Sequence, residues 1–230
     1  MIRVAGSDMA EIPLDKLAAA LAPHGLILRG GFEFGENDDL SGTLILVGSA
    51  GDGWWQPFQD WLCEGGGSTD NPLDSWTREI VGALAADHDA RLIMPNDRPY
   101  APFQQWAMRA EGLHASPLGI LTHPEYGLWH SYRAALLFDA PMSDAMIQAA
   151  QNVVHACDAC VGKPCLNACS VGAHSRGGFD HAGCLAHVCG EAGEACRAEG
   201  CFSRNACPVG MDWRYRSGVQ AFLQTAFAGL

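Results

Sequence analysis

Residues 157–210 read CDACVGKPCLNACSVGAHSRGGFDHAGCLAHVCGEAGEACRAEGCFSRNACPVG. Nine of the chain's ten cysteines lie in this stretch. They fall as Cys157-x2-Cys160-x4-Cys165-x3-Cys169, followed by Cys184, Cys189, Cys196, Cys201 and Cys207. The stretch also repeats itself: Asn167-Ala168-Cys169-Ser170-Val171-Gly172 returns as Asn205-Ala206-Cys207-Pro208-Val209-Gly210. Each half ends in a cysteine followed by turn-forming residues, so the chain changes direction just after it.

A cubane cluster needs four thiolates aimed at one small object, and a tight loop can aim several of them inward. The last cysteine of each run points away and serves the other cluster, as in bacterial two-cluster ferredoxins. Crossed in this way, Cys157, Cys160, Cys165 and Cys207 hold cluster one, and Cys169, Cys196, Cys201 and one of Cys184 or Cys189 hold cluster two. Cys184 is favoured over Cys189 because it leaves a connecting loop of ordinary length. Cys189 and Cys63 are then spare. The spacing departs from a small ferredoxin: four residues (Val161-Gly162-Lys163-Pro164) stand where two are usual, and Ser170 stands where Pro is usual. Structural zinc and a disulfide framework are the competing readings of so many cysteines. Zinc sites come as two matched Cys pairs, and only the first pair here has that form.

At 230 residues the chain has room for a larger domain, residues 1–150, and a small one, residues 151–230. Apolar residues make up 48%, enough for a core, and the net charge is −12. An acidic surface argues against nucleic acid or anionic membrane as the main partner and fits a basic redox partner protein or a small-molecule substrate, without selecting between them. Met1–Asp8 lacks an apolar signal core, and no run is long enough to span a bilayer. Together with the cysteine usage, this leads us to expect a cytoplasmic chain binding metal through thiolates.

The front part reads as helices and strands in imperfect alternation. Helices are expected over 10–22, from near Pro13, and over 72–86, 100–111 and 143–155. Trp54, Trp55, Phe58 and Trp61 share another helical face. Strands are expected over 25–34, 43–48, 90–94 and 131–138, with loops over 64–71 and 119–126. Gly48–Gly53 lacks the lysine of a phosphate loop and reads as a turn. A last helix over 213–230 should fold back. The class is α+β. The cysteine segment is too poor in large apolar residues to fold unaided, so its clusters must supply the missing core.

Two stretches carry a resemblance. Pro95-Asn96-Asp97-Arg98-Pro99 before a helix, and His123-Pro124-Glu125-Tyr126-Gly127-Leu128-Trp129-His130-Ser131-Tyr132-Arg133, resemble the CblC-type cobalamin-processing proteins. The second stretch followed by two-cluster cysteines also resembles the epoxyqueuosine reductases. The resemblance covers about residues 70–210. It implies a nitroreductase-like (CblC-like) α+β sandwich before a dicluster ferredoxin domain. It also implies two 4Fe–4S clusters delivering electrons to a cobalamin, or alternatively a flavin. His123, Tyr126, Trp129 and Arg133 are the cofactor-binding residues it implies. Asp97 stands beside, not at, the position of the tRNA-modifying reductases' catalytic Asp, and the helical-repeat extension for tRNA is missing, so action on tRNA is not expected.

Read from chemistry alone, His123 is a turn residue or a cofactor neighbour, Trp129 a core residue or a flat wall, and Arg133 a surface charge or a phosphate contact. No Ser-His-Asp order or paired-carboxylate motif stands out, so no catalytic residue is assigned. Two function classes follow. One is a reductase passing electrons to a cofactor in the front domain. The other is an electron carrier whose front domain docks partners; a carrier has no need of so large a domain, which favours the enzyme.

Overall fold

The computed structural model describes residues 11–66, 69–142 and 153–230. They form two compact units with interleaved chain segments. The first comprises 1–48, 60–111 and 132–151, the second 49–59, 112–131 and 152–230. The cysteine segment therefore shares its unit with two short stretches that the linear division at residue 150 assigned to the front domain. The physical reason is the shortage of apolar residues within the segment, which the added stretches relieve.

In the first unit, helix α1 (Leu14–Leu21) buries Leu17 and Leu21 one turn apart. Strand β1 (Ile27–Glu33) pairs antiparallel with β2 (Thr43–Ala50), and Thr43 through Ser49 are all buried. Helix α2 (Trp55–Trp61), whose residues 55–59 belong to the second unit, follows, then α3 (Pro72–Asp87), which starts on a proline and buries Trp76, Thr77, Val81, Leu84 and Ala85. Strand β3 (Arg91–Ile93) precedes α4 (Phe103–Glu111). That helix starts three residues later than the expected 100–111, because Pro102 disfavours helical backbone at Ala101.

Strands β4 (His114–Ala115) and β5 (Leu121–Thr122) form a two-stranded ladder, and β5 lies inside the stretch 119–126 expected to be loop. Each is two residues long, too short for alternation to reveal. Strand β6 (His130–Phe138) pairs antiparallel with β3, Arg91 opposite Leu137 and Ile93 opposite Ala135. The four-stranded sheet has the order β1-β2-β6-β3. Antiparallel pairing beside helices makes this an α+β arrangement. The helix expected over 143–155 lies outside the described residues up to 152, and 153–155 are not helical.

A buried ionic network ties the first unit together. Arg29 donates through Nε and Nη2 to the two Glu111 carboxylate oxygens at 2.8 and 2.7 Å. The Gly30 amide and the Tyr132 hydroxyl also donate to that carboxylate. Burial by itself would raise the Glu111 carboxyl, yet the Arg29 bond and charge, with the other two donors, hold it below its ordinary range. Burial, opposed in part by the Arg29 charge and aided by Glu111, pushes the Tyr132 hydroxyl far above its ordinary value.

In the second unit, hairpin β7 (His174–Ser175) and β8 (Gly178–Phe179) leads into helix His181–Cys189. Short helices Glu194–Glu199 and Phe202–Asn205 follow. The last helix spans Ser217–Ala228, not 213–230; Met211–Trp213 is a separate 3₁₀ turn and Arg216 is extended. It packs on Glu194–Glu199 and His181–Cys189, and its Phe222 ring meets Trp55 at 5.3 Å and Phe58 at 5.4 Å. Among the described residues, no helix is long and apolar enough to cross a membrane.

Candidate metal centre

The ten cysteines carry free thiols, and eight of them fall into two sets of four in the second unit. Cys165 is buried, and its thiol is pushed up by burial and then by the neighbouring Cys207, Cys157 and Cys160. Cys207 is raised by burial and by Cys157 and Cys160, partly offset by a bond from the Val209 amide. The second set answers to the same test. Cys184 is pushed up to about 11 by burial and then by Cys201, Cys169 and Cys196. Cys196 is raised by burial, Cys201 and Cys169. Cys169, Cys184, Cys196 and Cys201 also line one small cavity together with His174 and His187.

Local geometry explains the grouping. Cys165 sits in the 3₁₀ turn Pro164–Leu166, entered through Gly162 (φ +78) and Lys163 (φ +43). The Lys163 ammonium donates to the Cys157 carbonyl, closing the four-residue loop on the first pair. Cys165 and Cys207 are buried with Leu118 and Leu128, and Ile120, Leu166 and Val209 pack against them. Thr122 Oγ1 lies 3.9 Å from Cys157 Sγ, and the Ala173 amide donates to Cys169 Sγ at 3.3 Å. Cys189 is exposed, its thiol 3.7 Å from the Ala228 carbonyl, and Cys63 is exposed in the first unit. Neither enters a set.

The sets have the donor chemistry of a thiolate-bound cluster. Four thiolates brought close together need positive charge among them to offset their mutual repulsion, which a cluster's iron would supply. Among the described residues, no three His, Cys, Asp or Glu side chains are placed to hold a single metal ion.

The residues that sequence reasoning proposed for a second cofactor are placed as follows. His123 Nδ1 accepts from the amides of Glu125 and Tyr126, both at 3.1 Å, and its ring stacks on Tyr126 at 4.0 Å. Tyr126 in turn meets Trp213 edge-on at 4.8 Å. Trp129 is fully buried, with the Arg204 guanidinium 4.7 Å over its ring and Tyr215 at its edge. Arg133 belongs to the first unit and pairs with Asp74 at 2.6 Å. Asp97, in the Pro95–Pro99 stretch, accepts from the Met94 amide and pairs with Arg78. In the Gly48–Gly53 turn, the Gly51 amide donates to the Trp129 carbonyl and Asp52 binds Arg216 through its backbone and guanidinium.

What sequence reasoning missed is the lock between residues 123–130 and 207–213. His123 and Gly127 exchange both backbone hydrogen bonds. Gly127 (φ +57) and Gly210 (φ +67) lie so close that a Cβ on the first would overlap the Val209 carbonyl and one on the second the Tyr126 carbonyl. The signal was present in the sequence as two glycines without an evident turn partner.

The first unit has a cavity of about 490 Å³ whose lining includes Phe34, Leu40, Arg91, Tyr100 and Trp106.

No family model and no curated protein matches the chain. Among solved structures, the chain is similar to epoxyqueuosine reductase from Bacillus subtilis, solved with its catalytic loop swung out of the active site. The TM-score is 0.48 and the identity 15%, over 88% of this chain and 66% of that one. It is also similar to an epoxyqueuosine reductase in complex with an epoxyqueuosine-modified tRNA-Tyr stem loop, at TM-score 0.46 and 17% identity, over 90% of this chain and 61% of that one. The chain thus spans just under two thirds of the length of these two structures. The second of them holds a nucleic acid, which overturns the expectation that nucleic acid is excluded as a partner. That expectation rested on net charge, which averages the whole surface and does not decide what a local patch accepts.

Proposed function

We propose that this chain is an iron–sulfur redox protein whose second unit holds two 4Fe–4S clusters. Cys157, Cys160, Cys165 and Cys207 hold one, and Cys169, Cys184, Cys196 and Cys201 the other. The observation that carries this reading is the grouping of eight thiols into two sets of four, each joining cysteines from both halves of the repeat. A cluster is a larger object than one ion and spreads its thiolates wider, which fits sets that do not close on a point. The clusters supply one-electron transfer. The protein's part is to bury the thiolates, to hold them by the Lys163 and Asn205 side chains, and to donate amides to sulfur.

The reaction class is reduction, and the acceptor that the sequence resemblance implies is a corrinoid, with flavin as the alternative. A cavity with aromatic walls suits a flat ring system, and Phe34, Tyr100 and Trp106 in the first unit offer such walls.

Anaerobic analysis of the purified chain tests the proposal. It should give about eight iron and eight sulfide per chain. One or two zinc ions without acid-labile sulfide would overturn it. Titration with cobalamin and with flavin mononucleotide, followed by absorbance, separates the two acceptors, and Trp106→Ala should weaken the one that binds.

A further inference from the structure

Lysine occurs in this chain only at positions 16 and 163. Lys163 holds a left-handed backbone, φ +43, directly after Gly162 at φ +78. A glycine would take that conformation without strain, so the ammonium is kept there at a backbone cost. Its Nζ donates to the Cys157 carbonyl and retains two further protons. The hairpin of β7 and β8 packs against the turn Pro164–Leu166. At its tip Arg176 is exposed and makes no ion pair among the described residues. Between the loop and the hairpin lies a cavity of about 210 Å³ lined by residues that include Lys163, His174, Ser175 and Arg176.

The lining holds two cations and no carboxylate. In a chain of net charge −12 this is a local reversal of sign. The other donors are accounted for. Ser175 Oγ bonds the Gly178 carbonyl and the Gly177 amide, and the Asn167 amide is spent on Gly162 and Lys163 carbonyls. Burial lowers the His174 pKa, and its Nδ1 is buried without a partner. What remains along the notch is the guanidinium fork of Arg176 and the ammonium of Lys163, beside the His174 ring.

We propose that this notch binds a phosphate group. A tetrahedral dianion uses the Arg fork and the Lys point charge together, whereas a planar carboxylate is served by the Arg176 fork alone. The ligands of the notch are side chains other than the thiols.

The test is calorimetric titration of the intact, anaerobically purified chain with inorganic phosphate at low ionic strength. A dissociation constant of about 1 mM or tighter is expected, weakening as chloride is added. Arg176→Ala should raise it about tenfold, the loss of a charge-assisted bond. Arg98→Ala, a cation stacked on Tyr100 in the first unit, should leave it unchanged. Arg176 is exposed at a hairpin tip, so its replacement leaves the fold intact and the measurement interpretable. Glycerol phosphate and a short single-stranded oligonucleotide then distinguish the source. Tighter glycerol phosphate assigns a phosphomonoester, and a tighter oligonucleotide that loses affinity in Arg176→Ala assigns a phosphodiester backbone. Absence of heat up to about 20 mM phosphate, or binding indifferent to Arg176→Ala, overturns the proposal.

Discussion

The two copies of the repeat, Asn167–Gly172 and Asn205–Gly210, share sequence and local shape but carry different loads. In both, the asparagine amide donates to a preceding backbone carbonyl, Gly162 in one copy and Glu199 in the other. In both, the final glycine is left-handed, φ +64 at Gly172 and +67 at Gly210. Yet a Cβ added at Gly172 meets nothing, whereas one at Gly210 collides with the Tyr126–Gly127 backbone. Cys207 is buried and Cys169 only partly so. The first copy is therefore a surface turn, and the second is wedged into the core of its unit. Local sequence set the shape of each copy, and what surrounds a copy decides how much of the fold rests on it.

The largest expected effect tests the crossing of the two copies. Cys207→Ser should remove about half the iron, and the cluster lost should be the one held by Cys157 and Cys160. Cys169→Ser should remove the other half, and Cys63→Ser and Cys189→Ser none. Iron analysis with electron paramagnetic resonance of the reduced protein reads this directly. Loss of iron in Cys189→Ser would reassign the second set.

Next in size is the contrast between the two glycines. Gly210→Ala should cost about 3 kcal/mol or more, because strained φ and a backbone clash act together. Gly172→Ala should cost about 1 kcal/mol, from φ alone. Denaturant midpoints of the holo-protein compare them, and equal losses would erase the distinction between surface turn and wedge.

A reference in the first unit sharpens the contrast, since it has no thiol set. Glu111→Gln should cost about 2 kcal/mol, because Arg29 is left buried without its counter-charge. The Glu111 pKa is lowered in the folded state from an ordinary 4.5. Its contribution is thus present in full above that value and is lost as pH falls through the folded pKa. The stability gap between wild type and Glu111→Gln should accordingly be constant from pH 6 to 8 and shrink below about pH 4.5. A gap that widens in acid would mean the carboxyl is protonated in the fold.

The smallest effect is the shared one. Asn167→Ala and Asn205→Ala should each cost about 1 kcal/mol, from loss of a side-chain bond to a backbone carbonyl, and thermal denaturation should show them alike.

The amino-acid sequence by itself determined the main strands of the sheet and singled out the cysteines as candidate ligands, with Cys184 and Cys189 left as alternatives. Ligand spacing is a local constraint: a turn of two to four residues either aims two thiols together or does not. The repeat suggested the crossed ligation that iron analysis of the cysteine variants would test. Runs such as Thr43–Gly48 and Ser131–Phe138 are apolar enough to be strands in any context, and they became β2 and β6.

Cys184 over Cys189 was a preference by loop length, and only the packing of helix His181–Cys189 made it geometric. Within that helix Cys184 joins Cys169, Cys196 and Cys201, while Cys189 at its end meets Ala228. The β4–β5 ladder and the Gly127–Gly210 lock were also beyond local pattern, since two-residue strands have no period and a close backbone approach involves residues 83 apart. The same holds for Trp129, whose sequence allowed either a cofactor wall or a core ring. Arg204, a residue 75 positions away, covers its face and makes it core. Long-range contacts of this kind depend on where the chain returns, and residue type and spacing carry no record of that.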